Sequence, residues 1–537
     1  MNSAASGQTA TAQIRAPLGG QLQAFFKQDR RTLRLLLACV IAAIASAIDP
    51  PFFSLTSNEV QSFLRETDSS APLVVAVEYL LIAVMTLAGG TFGDLFGRRR
   101  VLLIGLGMML MMNLLGAFTL GTPIYLTLHR LNIVASALTL SMCVAVVTLS
   151  FDPAIRPFAF GMLFGFRSVA MLLSSVFTYF FERAHLEWLS FMPVVALSAV
   201  AMALVLRHAP ESRAVTGGGR SVALVNLLLL GIVFAVAFLV FGAVSLLTNL
   251  LLVLLVAISL LLIGAIVRWW AQRRRLYGSN DIFSSRDVAI AVLAGMLMSG
   301  IQGAFLFEFC TFNSEVLGIN WFVNSLRIAP YVIGLLLGSF LVLRVAQRLG
   351  VRNTLAGGMG LMALSMLLMA LMRGDTPYLW MLPPIFLMGA GFGLATPVRA
   401  QVVLSAPPAN LTGAAAAVNN ATGQLGYALG IAVASGLVMR LADASMVGAL
   451  QEAGINPATI DMVVAALPDY TTRAAQAAYA ALPQAAQIVP IDYASAWMDG
   501  LSNMYLAFGI AMAIGAVFVL LAKSHMTLPA QPQPAGE

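Results

Sequence analysis

Charge is scarce in this chain. Of 537 residues, 10% are Asp, Glu, Lys or Arg, against roughly 25% in a soluble domain. A soluble globule of this length needs a polar surface that such a composition cannot supply. That excludes a soluble enzyme, a nucleic-acid binder and a disordered chain. Cysteine is nearly absent as well. Cys39, Cys143 and Cys310 all lie inside apolar runs and form no CxxC pair, so neither a disulfide framework nor a cysteine metal site is expected. The four histidines, His129, His185, His208 and His525, form no HxxxH or HExxH pattern. No Walker A loop and no Ser/His/Asp grouping is visible, so no enzyme activity, metal or other cofactor is expected. The first 30 residues lack the short apolar core of a secretory signal. Lysine occurs only at Lys27 and Lys523, beside 28 arginines.

What fills the chain is apolar. Sixty per cent of residues are hydrophobic and the mean hydropathy is +0.89. Fourteen apolar segments can be read: 33–53, 73–93, 101–121, 124–149, 157–181, 188–206, 222–243, 245–267, 287–312, 321–343, 353–372, 378–403, 411–440 and 502–522. Most are long enough to cross a hydrocarbon core of ~30 Å as helices. Backbone polar groups in lipid must be paired within the chain, and the alternation of a β-barrel strand is missing, so the expectation is an all-α polytopic membrane protein.

Basic residues set the expected orientation. With the N-terminus inside, 22 of the 30 Lys and Arg fall at cytoplasmic ends and 5 outside. This is a positive-inside pattern, and an even span count puts both termini in the cytoplasm. The net charge of +7 therefore reports loops at a lipid bilayer rather than an anionic partner. The expected organisation is a cytoplasmic segment 1–32, a six-helix bundle 33–207, a linker with an inserted helix pair 208–275, and a second six-helix bundle 276–526. That second bundle includes a solvated outer loop 441–501, and a disordered tail follows at 527–537.

The second span ends in Gly90-Thr-Phe-Gly-Asp94-Leu-Phe-Gly97-Arg98-Arg-Arg100, a tight turn with an acid among basic residues at a helix end. A degenerate copy, Arg348-Leu-Gly350-Val-Arg352, follows span ten, with Gln347 where Asp94 stands in the first. The pattern resembles the GxxxDxxGRR/K signature of the major facilitator superfamily. The fourteen-span plan is similar to its drug:proton antiporter group (QacA/EmrB type). Further likenesses are Asp49 near the outer end of span one, Glu78-Tyr79-Leu80-Leu81, Arg130 in span four, Gly389-Ala-Gly391-Phe-Gly393 with Pro397, and Gly413, Asn419, Asn420, Gln424, Gly426 and Gly430. Two departures stand out: Met171–Thr178 holds no Pro or Gly where the group has a GPxxGG-like stretch, and Pro50-Pro51 follows Asp49.

The resemblance implies the major facilitator fold, with 14 transmembrane helices in two pseudo-symmetric six-helix bundles plus an inserted pair. It also implies proton-coupled export of a small-molecule substrate by alternating access from a bacterial inner membrane, with a periplasmic adaptor protein if the cell is Gram-negative. The alternative is proton-coupled uptake or facilitated transport of an anionic metabolite. Charges inside spans are costly and normally face a cavity or a partner. On that ground, and by the resemblance, Asp49, Glu78 and Arg130 are the expected proton-coupling residues. Arg167, Glu308, Arg327, Asn419 and Gln424 are expected in the substrate cavity, and Gly90, Asp94, Gly97 and Arg98 in a cytoplasmic gate. Glu308 and Arg327 are also candidates for a structural pair. Arg399 is expected to snorkel from a cytoplasmic helix end, and His129 to be a packed polar residue.

Overall fold

A computed structural model describes residues 29–48, 71–119, 123–151, 156–211, 286–373, 376–405, 412–452, 454, 456–458, 460 and 485–522. Twelve long helices occupy them: α1 Arg30–Ala45, α2 Ala71–Phe96, α3 Arg98–Thr119, α4 Pro123–Ser150, α5 Arg156–Arg183, α6 Met192–His208, α7 Arg286–Thr311, α8 Trp321–Leu349, α9 Val351–Met369, α10 Tyr378–Ser405, α11 Thr412–Glu452 and α12 Ala485–Leu521. No strand occurs among the described residues. Nine helices there are long and apolar enough to cross a membrane, and α2 and α5 add the shorter apolar stretches Glu78–Gly90 and Phe158–Ala170. Spans seven and eight, Asp49, the linker and the tail lie outside the described residues.

Neighbour relations repeat between the two sets of six. α2 packs on α4 as α8 packs on α10; α3 packs on α4 and α6 as α9 packs on α10 and α12. Between the sets, α2 meets α11 and α5 meets α8, while α4 meets α11 and α5 meets α10. Each such pair is the other's mate under a two-fold that exchanges α1–α6 with α7–α12. The turns repeat too. Gly97 joins α2 to α3 at φ 105°, and Gly350 joins α8 to α9 at φ 83°, a backbone region that glycine enters without a Cβ penalty. After each turn an arginine reaches the C-terminal end of the last helix of its own bundle. Arg99 Nη2 donates to Leu206 O at 2.7 Å, and Arg352 Nη1 donates to Ala522 O at 3.2 Å.

In lipid, helices associate through close van der Waals packing rather than water exclusion, which favours small residues at the contact. The α8–α10 contact shows this on both sides. A Cβ on Gly334 or Gly338 would strike the carbonyl of Phe386 or Ala390, and one on Gly389 or Gly393 would strike that of Tyr331 or Leu335. Pro397 inside α10 removes the amide that would serve Gly393 O, and Ser339 Oγ approaches that carbonyl at 3.4 Å. Such re-satisfaction by a neighbouring hydroxyl is how membrane helices tolerate proline.

The arginine-rich ends of the helices, the basic end below, are sealed across the two bundles. Leu140, Val144, Val147 and Phe151 from α4 and the residue following it form one buried apolar cluster with Ala400 and Leu404 of α10 and Ala415 and Ala416 of α11.

Two boundaries differ from the sequence expectation. The first span was expected to run to residue 53, but α1 stops at Ala45, where Ser46 N and Ala47 N turn back to Ala42 O and Ile44 O. The Ser46 hydroxyl donates to Ala43 O at 2.8 Å, and Pro50-Pro51 ahead disfavours further helix. The outer loop, expected over 441–501, is shorter. α11 continues to Glu452 and α12 begins at Ala485, because Val438, Ala442, Met446 and Leu450 keep one buried stripe at helical spacing. Ser445 Oγ donates to Asp499 Oδ2 at 2.9 Å, tying the two extensions together.

Candidate functional site

The bundle interface gathers a polar cluster from five helices. Arg167 comes from α5, and the Tyr79 and Tyr427 hydroxyls of α2 and α11 lie within its electrostatic reach. Those two rings meet at a tilt of 34° with centroids 4.2 Å apart, and their hydroxyls share a hydrogen bond. Tyr331 of α8 accepts from Gln302 Nε2 of α7 at 2.6 Å and acts electrostatically on Tyr427. The Arg167 Nε is buried with no hydrogen-bond partner among the described residues. A cationic fork among aromatic hydroxyls suits an acceptor-rich, partly aromatic solute. The charge of Arg167 pointed to this place; the tyrosines and Gln302 carried no comparable signal.

Nearer the end opposite the basic one, Glu78 of α2 is 8% exposed. Its Oε1 lies 3.6 Å from His129 Nε2 of α4, and its carboxylate acts on Arg130 of the same helix. Two of the three residues expected to couple protons are thus brought together, with His129 added as the nearest cation-forming group. Tyr125 stacks on that imidazole with centroids 6.1 Å apart, and one turn further along α4 Asn132 Oδ1 accepts from Asn113 Nδ2 of α3 at 2.8 Å.

The second bundle treats its charges differently. Glu308 of α7 is 1% exposed, and its Oε1 accepts a short hydrogen bond from Ser435 of α11. Arg327 of α8 does not pair with it. Its Nη1 donates to Asn313 Oδ1 at 2.6 Å, and its guanidinium stands over the Tyr378 ring, 5.0 Å from the centroid. The two candidates are separated because Arg327 starts its helix while Glu308 turns inward between α7 and α11.

Arg399 corrects the expectation of a snorkelling side chain. It is 5% exposed and buried, held by Nη2 donating to Asn419 O at 3.1 Å. Gly295 of α7 leaves the space it fills. Asn419 is thereby brought to an arginine, and Gln424 stands on the next turns of α11, half-buried.

At the basic end, Gly90 and Asp94 lie on the last turns of α2; the placement of the Asp94 side chain is outside the description. Arg98 is 3% exposed. Arg100 Nε pairs with Glu211 Oε2 at 3.5 Å, and the same carboxylate lies against Gly97. Glu211, which follows α6, had no motif to announce it.

Comparisons with known proteins agree with this architecture. The chain is 27% identical over 454 residues to the puromycin resistance protein pur8 of Streptomyces alboniger, covering 80% of this chain and 86% of that one. It is 23% identical over 406 residues to the multidrug efflux pump LfrA of Mycolicibacterium smegmatis, covering 74% and 79%. Among solved structures it resembles the human organic anion transporter MFSD10 (TM-score 0.59, 12% identity, 90% of this chain and 99% of that one). It also resembles the proton:xylose symporter XylE (TM-score 0.56, 14% identity, 91% and 95%). At these identities the structural likeness concerns the fold. The model of the Major Facilitator Superfamily matches residues 34–431, and the chain belongs to that superfamily of membrane transporters.

Proposed function

We propose that this protein is a proton-coupled secondary transporter that exports small molecules by alternating access across a bacterial inner membrane, with the basic end and both termini in the cytoplasm. The observation that carries the reading is Glu78, buried in α2 with His129 at 3.6 Å and Arg130 in electrostatic range. In a low-dielectric site, desolvation favours the neutral acid and a nearby cation favours the carboxylate. A change in helix packing shifts that balance and so takes up or releases a proton. Asp49 is assigned the principal proton carrier, Glu78 the second acid and Arg130 the switching partner. Solute binds at Arg167 and its tyrosines. Gly90, Asp94, Gly97 and Arg98 act as the cytoplasmic gate, and the apolar seal at the basic end is what an inwardly closed state requires. The resistance and efflux names of two relatives support export as the direction. In a Gram-negative cell a periplasmic adaptor is a natural partner for the extended α11 and α12.

The test is a screen of antibiotics and dyes in inverted vesicles with a pH-sensitive dye. Addition of a substrate should dissipate the proton gradient in the native protein. Asp49→Asn should abolish this response while leaving substrate binding intact and independent of pH. Full proton-driven transport in both Asp49→Asn and Glu78→Gln would overturn the assignment. A second reading, uptake or facilitated transport of an anionic metabolite, is favoured by Arg167 and Arg399, neither of which is paired with an acid among the described residues. Gradient-independent accumulation of a carboxylate in proteoliposomes would select it.

A further inference from the structure

The least compensated charge described in the molecule is Arg399. A guanidinium carries five N–H donors and no acceptor. Here one of them, on Nη2, reaches Asn419 O at 3.1 Å, while Nε and Nη1 are buried with no hydrogen-bond partner among the described residues. The groups beside it are in the same condition. Asn419 is 1% exposed and Asn420 8%, yet Asn419 Oδ1 and Asn420 Nδ2 also have no partner. Their mutual bond, from Asn419 Nδ2 to Asn420 Oδ1, is 3.3 Å long.

Among the described residues the surroundings supply no anion. α7 presents Gly295, where a Cβ would strike the guanidinium, and α11 presents Gly423 with Ser299 of α7 beside it. Arg399 lies six residues inside the basic end of α10, roughly 9 Å deep at the helical rise of 1.5 Å per residue. A structural arginine at that depth is expected to use its donors on carboxylates or carbonyls, because an unpaired buried charge is destabilising. The site also adjoins the other bundle. Ala421 and Met296, next in sequence to Asn420 and Gly295, pack against Ala83 of α2.

We propose that Arg399, Asn419 and Asn420 bind a carboxylate group of the transported solute, on the basic side of the Arg167–tyrosine cluster. The free Arg399 Nε and Nη1 and the Asn420 amide donate to the carboxylate. Asn419 Oδ1 accepts from an N–H or O–H next to it. The preferred solute is thus a carboxylic acid with a neighbouring hydrogen-bond donor. Gly295 is small because the guanidinium occupies the space a side chain there would need. The identity of the ligand as solute rests on the transport reading; the site itself does not.

The experiment measures binding without a gradient, so its failure and the failure of proton coupling are scored separately. The full chain in lipid nanodiscs is titrated calorimetrically with N-benzoylglycine, with its neutral amide, and with acetate at matched ionic strength. N-benzoylglycine should bind, with the amide and acetate at least tenfold weaker. Losing a charged hydrogen-bond partner weakens binding by about tenfold to a hundredfold, so Arg399→Gln should lose that much affinity and Arg399→Lys should retain part of it. The apo melting temperature of Arg399→Met should equal or exceed that of the native protein, because an unpaired buried charge has been replaced by an apolar chain. Equal binding of acid and amide, no binding of N-benzoylglycine, acetate matching N-benzoylglycine, undiminished binding in Arg399→Gln, or a lowered melting temperature in Arg399→Met would each overturn the proposal.

Discussion

Gly97 and Gly350 occupy the same turn in the two bundles, at φ 105° and 83°, but only one is crowded. Gly350 has ψ 162° and no atom within 4 Å of a built Cβ. Its backbone lies in a region that is essentially restricted to glycine, so Gly350→Ala should cost about 1–3 kcal/mol from strain alone. Gly97→Ala adds a contact to its own strain, because the new methyl would meet the Glu211 carboxylate, with its carbon 2.7 Å away. That carboxylate ends a flexible side chain and can swing aside, giving up its 3.5 Å bridge to Arg100. The bridging side chains are 62% and 30% exposed, which limits the bridge to about 0–1 kcal/mol. The predicted cost of Gly97→Ala is therefore about 1–4 kcal/mol, the strain plus the bridge. Thermal unfolding in nanodiscs should rank native above Gly350→Ala and Gly350→Ala above Gly97→Ala. In a Glu211→Ala background, Gly97→Ala should lose only its strain contribution, since the clash and the bridge are both gone. In proteoliposomes Gly97→Ala should slow turnover while leaving substrate affinity near native, since the turn belongs to the proposed cytoplasmic gate and lies away from the proposed solute site. A neutral Gly97→Ala, or a defect deepened by Glu211→Ala, would refute this account of the turn.

Three further outcomes are expected. Asp94→Asn should slow transport much more than it weakens substrate binding, and equilibrium binding set beside initial transport rates would show the reverse if Asp94 touched solute. Arg167→Gln should shift selectivity away from anionic and acceptor-rich compounds, with Arg167→Lys intermediate because it keeps the charge and loses the planar fork. Unchanged selectivity in both variants would remove Arg167 from the site. Gly389→Ala should lower the melting temperature by forcing α10 off α8, because its Cβ meets the backbone carbonyl of Tyr331, which cannot rotate away. Overpacking of this kind costs about 1–3 kcal/mol, and an unaffected Gly389→Ala would mean the helices are not in that contact.

Helix existence was legible because lipid imposes one rule on every residue: apolar side chain, internally paired backbone. The expected 287–312 and 378–403 were found at Arg286–Thr311 and Tyr378–Ser405. The duplicated turn was legible for a different reason, since positive φ selects glycine at both Gly97 and Gly350. What the sequence hid was rotation about the helix axis. Depth follows from residue count, which placed Glu78 and Arg130 together, but azimuth depends on packing against neighbours. Arg399 shows the consequence. Its distance from the helix end suited snorkelling, yet the gap at Gly295 admits it inward. Glu308 and Arg327 fail as a pair on the same ground. Glu211 stayed hidden because its role depends on the fold bringing the end of α6 to the α2–α3 turn.

The two bundles share backbone pseudo-symmetry but not charge pairing, and that difference bears on mechanism. In the first, the buried acid Glu78 faces an imidazole and a guanidinium carried by α4. In the second, the buried acid Glu308 faces a hydroxyl, and the buried cation Arg399 faces a backbone carbonyl. An acid held by cations can exchange a proton during a cycle. A cation held only by a carbonyl can instead receive an anion from outside the protein. Evolutionary duplication of a bundle sets the same helices in the same places, so the chemical asymmetry must come from side chains alone. In the proposed transport cycle the proton path would run through α2 and α4 and the solute path past α5 towards α7, α10 and α11, with the α2–α11 contact joining the two. The tilted Tyr79–Tyr427 ring pair, 4.2 Å between centroids, lies on that contact, and Tyr79 follows Glu78 in sequence, so the proposed solute cluster adjoins the acid proposed to exchange protons.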